Sequence, residues 1–441
     1  MKRPNIVFIV ADDLGFADLG CYGGRAAEFG PVSPVLDSLA ANGLKFTQGY
    51  SNSPVCSPTR FALMTARYQY RLRAAAEEPI NSKSRGSTTL GLPPEHPTLP
   101  SLLRTQGYRT ALIGKWHLGY PPHFSPLRSG YEEFFGPMSG GVDYFTHCSN
   151  SGDHDLWFGE EEKKEEGYLT DLLSQRCVDY IARMAPAARA DTPFFLSVHY
   201  TAPHWPWETR DDAALAQEVR KNLFHLHGGN IHTYHRMIHH MDEGIGWIVQ
   251  ALRDQNLLDN TLIVFTSDNG GERFSDNWPL VGGKMDLTEG GIRVPWIAHW
   301  PASIEPGRIS QQQCMTMDWS VTMLEAAGAS HDPAYPPDGV SLLKLLRQSR
   351  QEFARPLYWR MNHRDQRALR DGDWKYLRVD GNDYLFNIPG DERERANQGA
   401  QYPERLASMR QAWEAWNATM PPIPKDATIS LGYSAKDMPQ R

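Results

Sequence analysis

A doubly wound α/β fold, with helices sandwiching a large, mostly parallel mixed sheet, is the architecture this 441-residue chain predicts. Continuous apolar runs at 5–11, 110–113, 194–200, 262–266 and 296–300 have the length and covered character of interior strands. Segments of helical periodicity at 34–42, 99–106, 169–184 and 234–254 lie between them. Strands alternating with helices build parallel sheets.

The first run, Asn5–Ala11, follows Met1-Lys2-Arg3 in the manner of a secretory leader. It is too short for one and meets Asp12-Asp13 with no cleavage site. It therefore reads as a buried strand, with a cytoplasmic location expected, or a periplasmic or secreted one if an export signal has been trimmed. The run at 110–113 leads into Gly114-Lys115-Trp116-His117-Leu118-Gly119. Extended backbone there sends the Lys115 and His117 side chains to one face. The run at 194–200 precedes Ala202-Pro203-His204-Trp205-Pro206, and that at 262–266 ends on Asp268-Asn269-Gly270. Polar residues thus collect at the carboxyl ends of strands, where such sheets carry their sites. Glu160–Glu166 reads as a solvated charged loop. After about Arg350 the pattern shifts to short strands at 357–361, 368–369, 375–379 and 384–386, joined by Asp-Gly and Gly-Asn turns. A helix at 403–418 and a proline-rich tail follow. The expected division is an α/β domain over 1–350 and a C-terminal subdomain over 351–441, an antiparallel sheet packed by one helix.

The net charge of −7 argues against nucleic acid as a partner, and an anionic substrate must be drawn by a local basic site. No apolar run approaches the ~20 residues of a membrane span. Five scattered cysteines make neither a zinc pattern nor a disulfide framework, which fits reduced thiols.

Cys56-Ser57-Pro58-Thr59-Arg60, followed by Met64-Thr65-Ala66-Arg67, has the form Cys-x-Pro-x-Arg. Alone, it also reads as a proline-stiffened turn before a helix at 59–66. Asp12, Asp13, Asp268 and Asn269 are hard oxygen donors suited to Ca2+ or Mg2+. Together with the Lys115–His117 and His204 segments and Gly283-Lys284-Met285-Asp286-Leu287-Thr288-Glu289-Gly290-Gly291, in this order, the motif resembles the type I, formylglycine-dependent sulfatases of the alkaline phosphatase-like superfamily. The resemblance covers most of the first 300 residues. It implies that a formylglycine-generating enzyme converts Cys56 to 3-oxoalanine (formylglycine). It further implies one Ca2+ held by Asp12, Asp13, Asp268, Asn269 and modified Cys56. Lys115 and Lys284 then bind sulfate, Arg60 fixes the hydrated aldehyde, His204 is the general acid and His117 the later base. Ala66 departs from the family's usual glycine, and Met285 from its smaller residues.

The implied reaction is hydrolysis of sulfate monoesters, of a sulfated saccharide and also of aryl sulfates, through a gem-diol nucleophile and a covalent sulfo-enzyme. Two other readings stand beside it: a phosphonate monoester or phosphodiester hydrolase of the same superfamily, and a non-catalytic sulfated-glycan-binding protein with an intact Cys56 thiol. Ser139, Asp143 and Trp205 are candidate substrate contacts, with Trp207 and Trp278 on neighbouring loops. His199 competes with His204 but reads as a packed strand residue, and Glu289 as shaping the Gly290-Gly291 turn. Six histidines lie between His225 and His240. His235 and His239 have chelating spacing, but Arg236 breaks the H-E-x-x-H pattern, and a structural or substrate-facing role is expected. Oligomeric state is not written in the sequence.

Overall fold

The computed structural model describes residues 2–24, 30–220, 222–348 and 350–430. A ten-stranded sheet runs from Arg308–Ser310 (β11) through Leu44–Phe46 (β2), Trp296–His299 (β10), Thr261–Ser267 (β9), Asn5–Ala11 (β1), Phe194–His199 (β8), Arg109–Gly114 (β4), Glu133–Gly136 (β5) and Trp157–Phe158 (β6) to Glu161–Glu162 (β7). Its centre, β9-β1-β8-β4-β5, is parallel, whereas β10 runs antiparallel to both β9 and β2. Alternate residues of β1 serve opposite cores, as strand geometry requires. Val7 and Ile9 pack under the helices Pro34–Ala41, Leu169–Arg189 and Ile231–Asp254, while Ile6 and Phe8 pack under Cys56–Thr65, Leu99–Arg104 and Thr316–Ala327.

The helices form where periodicity places an apolar stripe. Leu169, Leu173, Cys177, Tyr180 and Ile181 are buried on the first long one, and Tyr234, Met237, Ile238, Met241 and Ile245 on the second. Asn230 caps the second by accepting from the His232 and Thr233 amides. The helix expected at 59–66 starts three residues earlier, at Cys56. Pro58 falls in its first turn, where a missing N–H costs no helical bond. Ala66 ends it in the left-handed region (φ 57°), a conformation that favours glycine.

Gly49–Tyr50 (β3) and Cys314–Met315 (β12) make a separate parallel pair, and four antiparallel strands, Leu357–Met361 (β13), Gln366–Asp371 (β14), Trp374–Val379 (β15) and Asn382–Asn387 (β16), form the C-terminal sheet. One face takes Met409 and Trp413 of the helix Pro403–Asn417. The other shares a core with Cys56, Ala62 and Met285. Glu289 does more than shape a turn, since its buried carboxylate pairs with Lys375 of β15 at 3.0 Å, and Lys375 also meets Glu394 at 2.8 Å. No helix among the described residues is long and apolar enough to cross a membrane.

Candidate active site

Register builds the centre of the site. β1 and β9 pair in parallel with Ala11 opposite Ser267, so Asp12-Asp13 and Asp268-Asn269 leave the sheet side by side. The Asp268 amide donates to the Ala11 carbonyl (3.1 Å), and the Asn269 side-chain amide to Asp13 Oδ1 (2.7 Å). Asp13 makes the turn with φ 62°. Donor atoms of Asp12, Cys56 and Asp268 lie within 4.8 Å of one another, as do those of Asp12, Asp13 and His204. Asp12 Oδ1 and Asn269 Oδ1 are buried with no hydrogen-bond partner among the described residues. Burial first, and the Asp268 charge second, push Asp12 up to about 8. Converging, uncompensated hard oxygens of this kind fit a divalent cation.

Cations ring this cluster. Arg60 donates to Asp268 Oδ2 through Nε (3.1 Å) and a terminal nitrogen (2.8 Å), and to the Lys115 carbonyl (3.1 Å). Lys115 Nζ donates to Asp12, and Lys284 Nζ to Asp13 Oδ2 (2.7 Å). Burial raises Asp13, but the Lys284 charge, with hydrogen bonds from Lys284 and Asn269, outweighs it and holds the carboxyl at about 2. Lys115 and His117 do face the site together, but not by strand alternation. β4 ends at Gly114, and His117 turns in with φ 59°. His199, at the end of β8, is a support: it meets Arg60 (3.0 Å) and Ser197 (2.9 Å).

Backbone carbonyls fix the tautomers of both site imidazoles. A carbonyl only accepts, so His117 Nε2–H donates to Ile80 O (2.7 Å), leaving a bare lone pair on Nδ1. By the same logic His204 Nδ1–H donates to Trp205 O (2.7 Å), and Nε2 stands 3.5 Å from Asp13. Burial foremost, with Lys115 beside His117 and Lys284 beside His204, depresses both imidazoles well below the usual histidine value.

A cavity of about 160 Å3 opens on Cys56, His117, His204 and Lys284. Trp205 and Ser139 line it, although the Ser139 hydroxyl is committed to Asp155. Asp143 does not line it and is no substrate contact there. Its buried carboxylate caps the turn by accepting from the Phe145 and Thr146 amides. Trp207 packs in the core and Trp278 is exposed under Arg393, both off the cavity wall. The His225–His240 set contributes no group to the metal-competent clusters among the described residues.

Four contributors escaped the sequence reading. Gly140 and Gly141 press against the imidazoles, where a Cβ would meet His117 at 2.4 Å and His204 at 3.1 Å. Glu272 lines the cavity three residues after Asn269, a nearness the sequence did offer as a signal. Ser430 reaches the wall from the far end of the chain, with no signal at all.

An alkaline phosphatase-like hydrolase of anionic esters is the class this fold and site define. The sulfatase family model matches residues 4–329, and the chain belongs to the sulfatase family, the sulfuric ester hydrolases. It is 32% identical to human N-acetylgalactosamine-6-sulfatase over 81% of this chain and 68% of that protein. It is 32% identical to human arylsulfatase A over 85% of this chain and 74% of that protein. The crystal structure of Ps i-CgsB in complex with k-i-k-neocarrahexaose superposes with a TM-score of 0.81 at 32% identity, covering 94% of this chain and 93% of that one. Members of the family generally use a formylglycine and a divalent metal.

Proposed function

We propose that the protein hydrolyses sulfate monoesters of a saccharide through a formylglycine made from Cys56 by a formylglycine-generating enzyme, with a covalent sulfo-enzyme between two half-reactions. The carrying observation is that Cys56, whose donor atom converges with those of Asp12 and Asp268, also lines the cavity shared by His117, His204 and Lys284. As a plain thiol Cys56 is a poor nucleophile, because burial pushes it up to about 11. The hydrated aldehyde replaces that thiol with two hydroxyls on one carbon.

Asp12, Asp13, Asp268 and Asn269 would hold the divalent cation; their all-oxygen set suits Ca2+ or Mg2+, and the resemblance to the type I sulfatases favours calcium. Bound there, the ion supplies Lewis acidity to the nucleophilic hydroxyl and to a sulfate oxygen. Lys115 and Lys284 place fixed positive charge on the remaining sulfate oxygens, and Arg60 orients the diol through Asp268. One hydroxyl would pass its proton to the Asp268 carboxylate and bond to sulfur as the ester S–O bond breaks, while protonated His204 would give its Nε2 proton to the departing oxygen. His204 is neutral in the free site, and the arriving anion favours its protonated form. His117 Nδ1 then takes the proton of the second hydroxyl. The aldehyde re-forms as the bond from carbon to the sulfate oxygen breaks, and sulfate leaves. The saccharide assignment draws on the relatives' printed names and on the amide- and ring-rich wall.

Cys56→Ser tests the reading, since one hydroxyl allows the first half-reaction and blocks the second. The variant should bind ester and stall after at most one turnover. Multiple turnovers at the wild-type rate would defeat the proposal, and an unmodified Cys56 by peptide mass in active protein would do the same. Parallel rates on aryl sulfate and aryl phosphonate esters decide the ester class, and a faster phosphonate reaction would reassign it.

A further inference from the structure

Beyond the sulfate end, the cavity carries a charge pattern of its own. Among the described residues on its wall, the Lys and Glu side chains are Lys284, committed to Asp13 at the sulfate end, and Glu272. The rest of the leaving-group side is neutral: Asn81, Ser149 and Asn150 offer amide and hydroxyl groups, while Tyr120, Trp205 and Phe224 offer rings. Both Glu272 oxygens are buried and have no hydrogen-bond partner among the described residues. Nearby guanidinium groups are already engaged. Arg273 donates to the carbonyls of Phe224, His225 and Leu226, and Arg85 at the rim pairs with Asp153 at 2.8 Å.

We propose that the site selects esters whose leaving group carries no charge of its own, a neutral hexose or N-acetylhexosamine in place of a uronate or a multiply sulfated sugar, and that Glu272 is the residue that enforces this. The inference rests on the sulfatase reading above. A buried acceptor without a donor is costly, and a sugar hydroxyl or acetamido N–H relieves it. A second carboxylate or sulfate on the leaving group meets that same oxygen pair, whose neighbouring cations Lys284 and Arg273 are already engaged by Asp13 and by backbone carbonyls, so it loses both desolvation and Coulomb energy.

The test compares kcat/KM for sulfate release from methyl hexoside monosulfates with that from methyl hexuronide monosulfates matched in sulfate position, with 4-nitrophenyl sulfate as reference. Wild type should prefer the neutral sugar on the order of 100-fold, mostly through KM. Glu272→Gln should shrink that preference by about tenfold, and Glu272→Lys should shrink it further. Because a variant can misfold, wild type is also assayed from low to about 0.5 M salt, where screening should narrow the preference. Equal rates on the two sugars, a preference for the uronide, or a preference untouched by both Glu272→Gln and salt overturns the inference while leaving the sulfatase reading intact. Failure to release sulfate from any ester, 4-nitrophenyl sulfate included, removes the reading beneath it.

Discussion

At the scale of single residues, placement of the two imidazoles controls the proposed chemistry. His117 is clamped on one edge by the Ile80 carbonyl and on its face by Gly140, where no side chain fits. Gly140→Ala puts a methyl 2.4 Å from the ring, so the ring must move or the loop must lift. A displacement of about 1 Å in a reacting group costs on the order of 100-fold in rate. We expect kcat to fall by about that factor, with the sulfo-enzyme accumulating because His117 serves the second half-reaction; intact-protein mass after mixing with substrate checks it. A fall in kcat with no adduct would place Gly140 in the first half-reaction instead. The side chains that converge at the cavity and its oxygen cluster were legible in the sequence, because particular residue types stood at the ends of apolar runs. Gly140 was not, because a close approach is a property of two distant segments. Asp143, three residues further on, lies off the cavity wall for the complementary reason: an aspartate in a loop caps turns as readily as it binds ligands.

At the scale of elements, the loop bearing Lys284 is held by a sheet that contributes no group to the chemistry. Gln366, at the start of β14, donates to the Met285 carbonyl (2.8 Å) and accepts from the Leu287 amide (2.8 Å), while the Met285 amide donates to Pro54 (2.8 Å). These bonds hold Met285 at φ 74°, unusual for a residue with a side chain, and so fix where Lys284 begins. Gln366→Ala leaves two buried backbone groups unpaired, costing about 1–3 kcal/mol of stability. It should also raise KM for sulfate esters more than it lowers kcat. Urea midpoints and steady-state kinetics measure the two effects; a stability loss without a KM change would detach β14 from the site. Alternation and the Asp-Gly and Gly-Asn turns located each strand and the helix of this region, β13 at both ends, whereas β14 spans 366–371 against the expected 368–369 and β16 382–387 against 384–386. Their packing against Cys56 and Met285 could not, because alternation tells which face is buried but not what covers it.

At the scale of the whole molecule, the site is assembled from segments spanning nearly the described chain, and its last wall comes from the C-terminal end. Residues 428–430 run beside 77–81: the Glu78 amide donates to Thr428 O (2.9 Å), the Ser430 amide to Glu78 O (2.8 Å), and the Asn81 side chain to the Ser430 hydroxyl (2.5 Å). Further back, Arg360 of β13 donates to Asn417 (2.7 Å) and Pro421 O (2.6 Å), which ties this strap to the C-terminal sheet. The Ile80 carbonyl that orients His117 lies in the same 77–81 segment, yet the Ile80 amide is anchored separately to the Ser57 hydroxyl (2.9 Å). The two supports can therefore be separated by ending the chain after Met420. If the strap serves the leaving group alone, KM for a saccharide sulfate should rise about tenfold, the loss of one or two ligand hydrogen bonds, with kcat reduced by less. If kcat collapses with KM unchanged, the strap instead steadies Ile80, and through it the proton acceptor of the second half-reaction. The Ser57 anchor, inside the helix that carries the nucleophile, favours the first outcome.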